Sequence, residues 1–577
     1  MEKHKKILLS AIILTAVSIT AVSYFLFYKK VESKIEEALH NSKKEITLAS
    51  PYNSKETYES IFAELPANTK KLEAKAGIVS HHFLAKKLIA EFYNKISNDE
   101  ITTIFLISPD HYNHFYSSDT LAYTGKSPWN TPYGELYVNE TAIDLLVQKG
   151  SVKTDSSMLG LEHGVYIEIP FIKKVFPNAA IVPLIVNPNA NYEEFSALGK
   201  ELNSLTDENS LLIVSSDFSH ESKIEEAFSQ DSKSIDALKE LGSQSVNNIT
   251  NDCKQCLAVL SGFLADDKKY DFNLIDNKNS FDISAEDKKS VTSYISGFYT
   301  EKTDVQILFT GDLMFDRGIR YYASKLGSNE HIFDKIYPAL KNADLVVSNL
   351  EGPITDNYSV SFGTTPGSAN NYVFTFDTSV AKTLYTENIK LVDLGNNHIL
   401  NFYTEGLDET KKYLSEAGVE YFGDLNGNKS IIKEINGIKI AFVSYNEFSG
   451  SSILDQTQTI NEIQKLEKEA DLTVVFCHWG IEYMQEPNQA IRDLAHQFIN
   501  MGADVIIGSH PHVIQSIETY NNKKIYYSLG NFIFDQYFDE NVRSGLGVIL
   551  KINLKTKELS FEDLNFYLDL NGQTTLK

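Results

Sequence analysis

Five short apolar runs in the C-terminal half of this chain each stop at a polar cluster. Val305 to Phe309 leads into Gly311-Asp312, Asp344 to Val347 into Asn349-Leu350-Glu351-Gly352, and Ile389 to Leu394 into Gly395-Asn396-Asn397-His398. Leu472 to Phe476 is followed by His478, and Val505 to Ile507 by His510-Pro511-His512. Runs of this length, rich in β-branched residues, read as buried strands. The crevice outside the carboxyl ends of strands is where open α/β sheets bind ligands, so residues that follow successive strands can meet at one point. Asp312 and Glu351 bring carboxylates, Asn397 an amide oxygen, and His478, His510 and His512 imidazoles, which together suit a metal. His510 and His512 are two apart and would face one side in extended backbone.

The N-terminal half repeats the pattern with other ligand types. Helical spacing over Phe83 to Ile96 precedes the strand Thr102 to Ile107, which ends in Ser108-Pro109-Asp110-His111. A helix from Tyr166 to Val175 leads to the strand Ile181 to Val186, and the strand Leu211 to Val214 ends in Ser215-Ser216-Asp217-Phe218-Ser219-His220. Strands alternating with helices argue for an α/β unit with a mostly parallel sheet covered on both faces. His81, His111, His163, Asp217, His220 and Cys253 gather where strands stop or helices start, a set that favours iron, zinc or copper over magnesium.

At 577 residues the chain is too long for one core, and the junction is expected near 300–304. A formal net charge of -24 disfavours nucleic acid and anionic lipid surfaces as partners. Three cysteines exclude a disulfide-stapled scaffold and leave Cys253, Cys256 and Cys477 as candidate ligands. Lys3, Lys5 and Lys6 precede an uncharged run from Ile7 to Tyr28, long enough to span a bilayer as one transmembrane helix. The basic residues before it favour a cytoplasmic tail at 1–6, an anchor at 7–28, a stalk at 29–71, and an extracytoplasmic position at the cell membrane for the rest.

Several motifs carry resemblances. Ile78-Val79-Ser80-His81, Ser108-Pro109-Asp110-His111, Glu162-His163, Ser215 to His220, Cys253 and Val291-Thr292-Ser293-Tyr294 resemble the Memo family, or AmmeMemoRadiSam system protein B, over 72–300. That resemblance implies a class III extradiol dioxygenase-like fold, metal ligands at His81, His111 and Cys253 with Cys256 as competing thiol, and a pocket lined by His163, Asp217 and His220. Gly311-Asp312-Leu313-Met314 with Arg317, Ser348 to Glu351, Asn396-Asn397-His398, His478-Trp479-Gly480, Gly508 to His512 and Ser528 to Phe532 resemble the CapA family of capsule and poly-γ-glutamate synthesis, within 304–570. This second resemblance implies an α+β four-layer sandwich similar to calcineurin-like metallophosphoesterases, with two divalent metals (manganese, iron, zinc or magnesium). Glu351 would bridge them, Asp312 and His512 would complete one site, and Asn397, His478 and His510 the other. Met314 stands where the phosphoesterases carry a second ligand, and a thioether does not suit a hard cation.

The catalytic candidates are His398, as an acid for a leaving group, and Arg317, as a clamp for an anionic oxygen or else an ion-pair partner of Asp316 or Glu351. The expected function is a membrane-anchored, metal-dependent hydrolase or transferase acting on an anionic or cell-envelope polymer, alongside other capsule-synthesis proteins. A plain metallophosphoesterase and a non-catalytic envelope scaffold are the alternatives.

Overall fold

The computed structural model describes residues 47–66, 73–115, 120–266, 269–285, 289–425 and 427–577. The expected tail 1–6 and anchor 7–28 lie outside the described residues, as does 29–46. Among the described residues no helix is long and apolar enough to cross a membrane. Residues 47–66 correct the expectation of a stalk running to 71. Leu48–Ala49 pairs with Trp129–Thr131, and the helix Lys55–Ala63 buries Tyr58 and Ile61, so this stretch is packed onto the N-terminal half. Tyr58 meets Phe171 edge to face at 4.9 Å, an apolar contact that a solvated spacer lacks.

The N-terminal half is built on a nine-stranded sheet whose four central strands, Ala76–Val79, Ser210–Ser215, Thr103–Ser108 and Ala180–Val186, are mutually parallel. Antiparallel strands flank this centre, including the long pair Tyr270–Asn279 and Val291–Glu301. Alternate residues point to opposite faces: Phe105 and Ile107 join one buried cluster, Ile104 and Leu106 the other. Covering both faces is what makes the central strands continuously apolar in sequence.

The C-terminal half has two facing sheets. One runs Glu420–Phe422, Leu391–Asp393, Leu345–Leu350, Asp304–Leu313, then three antiparallel strands beginning with Ser544–Asn553. The other contains Ser430–Ile435, Ile438–Asn446, Leu472–His478, Val505–Ser509, Lys523–Tyr526 and Ile517–Tyr520. Ile307, Phe309 and Val347 meet Phe442, Val474 and Ile507 between the sheets. Leu308 and Val346 point outward to helices carrying Ile319, Leu340 and Leu384, and Val475 and Ile506 to helices carrying Ile463 and Phe498. Helix, sheet, sheet and helix make four layers.

The halves are joined through 302–303, between Val291–Glu301 and Asp304–Leu313. Lys302 spans the junction, bonding Asp271 and Asp344. Buried Lys341 reaches Ser232 Oγ at 3.0 Å and Asp236 at 3.2 Å.

Backbone closeness sets the strand ends. A Cβ on Gly311 would lie 1.8 Å from Gly530 O, and one on Gly508 1.9 Å from Tyr527 O. Gly311→Ala is therefore expected to destabilise the fold by about 1–3 kcal/mol, the usual cost of overpacking, and to displace Asp312. A lowered urea midpoint checks the first effect and weakened manganese binding the second.

Candidate metal centre

Parallel register places the ligand residues side by side. Asp312 pairs with Asn349, which pairs with Asp393, on one sheet, while His478 pairs with Ser509 on the other. A register break between Phe309 and Asp312 lets Asp312 stand over the end of its own sheet. Two groups of atoms result, each within 4.8 Å: Asp312, Glu351 and His512, and Glu351, His478 and His510, with Glu351 in both. His512 Nδ1 is 3.2 Å from Asp312 Oδ2, and its Nε2 is 3.6 Å from Glu351 Oε1. All five side chains are buried.

Asn349 ties these strand ends together. Its amide nitrogen donates to Asp312 Oδ1 at 2.8 Å, and its oxygen accepts from Asn396 Nδ2 at 3.0 Å. Asn349 Nδ2 and Ser509 Oγ approach His478 Nδ1 at 3.3 and 3.0 Å, and with Ser509 Oγ donating to Cys477 O at 3.1 Å, the tautomer suited to a metal puts the proton on Nδ1 toward Ser509. That assignment leaves the His478 Nε2 lone pair facing Asn397 Oδ1, 2.9 Å away. Two acceptors turned on one point fit a cation between them. Glu351 Oε1 and His510 Nδ1, both buried without a hydrogen-bond donor in the protein, fit the same reading. Burial first, then the neighbouring imidazoles, holds His478 well below the usual histidine range and His510 at about 3, so both are neutral, as metal ligands must be. Burial and the adjacent Asp312 push Glu351 well up.

Three sequence expectations change here, while Met314 keeps to what its thioether implied. His510 and His512 do meet the cluster, but through left-handed backbone at φ 92° and 58°, not through an extended segment. Strain of this kind persists only where the surroundings hold it. Met314 turns its sulfur away from the cluster, accepting the Asp316 N–H at 3.0 Å, and packs in the core. Arg317 pairs with Asp535 rather than Asp316 or Glu351, and its fork is further held by Asn371 Oδ1 at 3.2 Å. His398 donates through Nδ1 to Asn401 Oδ1 at 3.1 Å, an oxygen identified by the Phe374 N–H that also donates to it. Its Nε2, 4.0 Å from Glu351 Oε1, is thus an acceptor, and burial lowers the imidazole to about 4. In this state His398 Nε2 carries no proton, so it would have to take one up before serving as the expected acid.

The N-terminal half holds a second cluster. His81, His111 and His163 lie within 4.8 Å of one another through their ring nitrogens. Cys253 does not join them as a thiolate, because it is bonded to Cys256 in a disulfide. The residue before it, Asp252, takes the central place. Its Oδ2 is 3.1 Å from His81 Nε2, 3.7 Å from His111 Nε2 and 3.8 Å from His220 Nε2. Asp217 lies 3.7 Å from His81 Nε2 and accepts from Ser80 Oγ at 2.6 Å. Burial opposes protonation of His81, but Asp217 and Asp252 outweigh it and raise the group to about 10. Burial, then the charges of His81 and His111, lowers His163 to about 4. Glu162 orients His111 through Nδ1 at 2.6 Å. Sequence reasoning missed Asp252 because the neighbouring cysteine drew the ligand assignment; only its position after the Asn-Ile-Thr-Asn turn hinted at it.

Asp393, behind the Gly395-Asn396-Asn397-His398 turn, generates a pH prediction. Its Oδ1 accepts the Gly395 N–H at 3.1 Å, its Oδ2 has no partner, and burial pushes it up to about 7. The unfolded chain loses this proton near the ordinary value of about 3.9, so stability falls as pH rises from there to about 7 and is unaffected below. Asp393→Asn removes that loss. Its unfolding free energy should gain on the parent's across this window, by up to roughly 4 kcal/mol at about 1.4 kcal/mol per pH unit, measured by urea titration.

Comparison with known proteins agrees with this division. Residues 306–536 match the family model of the bacterial capsule synthesis protein PGA_cap, and residues 27–298 that of Memo-like protein. The PGA biosynthesis protein CapA of Bacillus subtilis (strain 168) is 32% identical over 246 residues, 40% of this chain and 63% of that protein. The capsule biosynthesis protein CapA of Bacillus anthracis is 29% identical over 271 residues, 43% and 64% of the two chains. A MEMO1 family protein of Sulfurisphaera tokodaii is 24% identical over 246 residues, 40% of this chain and 85% of its own. The chain spans less than two thirds of the length of these two capsule relatives. It is accordingly a fusion of a Memo-like N-terminal half with a C-terminal half of the capsule-synthesis PGA_cap family.

Proposed function

We propose that the C-terminal centre is a two-metal hydrolase or transferase site acting on a capsule or cell-envelope polymer, in a chain anchored at the membrane through 7–28. The observation that carries the reading is the shared Glu351, with Asp312 and His512 on one side and His478 and His510 on the other. Asn397 completes the second group through its 2.9 Å approach to His478. With manganese, iron, zinc or magnesium bound, such a site supplies Lewis acidity and a nucleophile at neutral pH. The chain's own residues hold and orient. Ser509 keeps His478 Nε2 free, Asn349 holds Asp312, and His398 Nε2 accepts the proton of the attacking group and returns it to the leaving group.

In the N-terminal half, His81, His111 and Asp252 form a two-imidazole, one-carboxylate set that would suit divalent iron, a metal there displacing the proton that Asp217 and Asp252 draw onto His81. We assign it as a separate metal position.

Metal analysis with a panel of substrates tests the reading. The full chain should bind two manganese ions at the C-terminal centre, and Ser509→Ala should weaken that binding by about 10–100-fold, the usual cost of losing a ligand-orienting partner. Generic phosphate esters should turn over slowly. Brisk ester hydrolysis abolished by Asn397→Ala would instead make the chain a plain phosphoesterase, and absence of metal in both halves would leave only a scaffold.

A further inference from the structure

Beside the C-terminal centre lies a cleft of about 470 Å³, within the range of ~300–1,000 Å³ typical of ligand sites. Its lining packs against the metal cluster. Tyr483 lines the cleft and sits 6.2 Å from the His512 ring, held by its N–H to Pro511 O at 2.8 Å. Arg317, also in the lining, stacks on Phe374 and Phe534, and those rings in turn pack against His398 at 4.3 Å and His512 at 4.9 Å. The cleft thus lies one layer of side chains from the cluster.

The lining is aromatic. Tyr321, Phe362, Tyr372, Tyr483 and Phe538 are exposed by 49, 47, 50, 42 and 69%, an unusual grouping of large rings in water. Between them stand neutral polar groups, Ser361, Thr364, Asn371 and Gln536, which hydrogen-bond within the protein, and the exposed Tyr321 and Tyr372 carry hydroxyls. Charge is almost absent. Among the described residues lining the cleft only Arg317 and Asp535 are charged, and they neutralise one another. Glu482, hydrogen-bonded to Tyr483 and close enough to raise Glu351, adds a negative charge.

A polyanion with one carboxylate per repeat needs cations along its track, as anionic polymers are held by Lys and Arg. Among the described residues lining this cleft the cation is Arg317 alone, and Asp535 already pairs with it. The cleft offers ring faces for apolar surfaces and the phenol hydroxyls of Tyr321 and Tyr372 as neutral hydrogen-bonding groups, which is the complement of a sugar ring with its C–H face and its hydroxyl edge. We propose that the cleft binds an uncharged glycan chain, so that the polymer acted on is glycan-bearing rather than a polyglutamate. The inference rests on the proposed function of the adjacent centre and narrows its substrate class.

The test uses the full chain stripped of metal by chelator, so that the cleft is read apart from the centre. Chitotetraose, cellotetraose, maltotetraose and xylotetraose are titrated by calorimetry, with tyrosine fluorescence as a second signal. At least one should bind saturably, with affinity unchanged between about 20 and 300 mM salt because no ion pair is involved. Tyr372→Ala and Phe538→Ala should each weaken it by about fivefold or more through loss of a stacking ring, while Tyr137→Ala, an exposed tyrosine of the other half, should not. Both cleft substitutions are at exposed positions, and an unchanged thermal melt shows the fold intact. Poly-γ-glutamate should not compete. If no tetrasaccharide binds, if binding survives both substitutions, or if poly-γ-glutamate binds the metal-free chain with strong salt dependence, the proposal is overturned. Manganese binding, measured separately, tells its failure from failure of the metal-centre reading.

Discussion

Two fully buried carboxylates share one small space in the C-terminal half, and the rest of that half is arranged around the cost. Asp312 and Glu351 have no exposed surface, and the imidazoles of His478 and His510 are held neutral by burial. Negative charge that is neither solvated nor paired is expensive in a protein interior. A cation held by Asp312, Glu351 and the imidazoles would remove that cost, and a proton on Glu351 reduces it. The left-handed backbone at His510 and His512, the glycine contacts at Gly311 and Gly508, and the amide bridges of Asn349 all serve to hold donors at this spot against that cost.

The N-terminal half solves a similar problem with the opposite balance. There Asp252 stands among His81, His111 and His220, and His81 is drawn toward protonation by two carboxylates. With the cysteines joined to each other, the donors that remain are nitrogen and oxygen. The two centres thus differ less in ligand softness than their sequences imply, and they differ more in accessibility: His111 and His220 are partly exposed, whereas the histidines of the C-terminal centre are buried.

Much of the architecture was legible because burial leaves a period in the sequence. Ile307 and Phe309 face the partner sheet while Leu308 faces helices, so the strand reads as a continuous apolar run. The residues that cluster at the C-terminal site were legible because each directly follows such a run. Arg317 was misread because its partner, Asp535, is more than two hundred residues away. The resting tautomer of His398 was not legible because it depends on Asn401 and, through it, on Phe374. Residues 47–66 were misread as a spacer because a short polar-looking helix with two buried residues has little periodic signal.

By itself, then, the sequence determined the strands, their order of ligand residues, and the division into a Memo-like and a capsule-synthesis half, since these follow from local hydrophobic pattern and contiguous motifs. Only the tertiary structure decided that Glu351 lies between two ligand groups, that Asp252 replaces Cys253 at the centre of its cluster, and that an aromatic, nearly uncharged cleft adjoins the metal centre. Each of these depends on side chains from separate strands and loops meeting at distances of a few ångströms. Chain position carries no record of such distances, because sheet register and loop closure set them after the strands have paired.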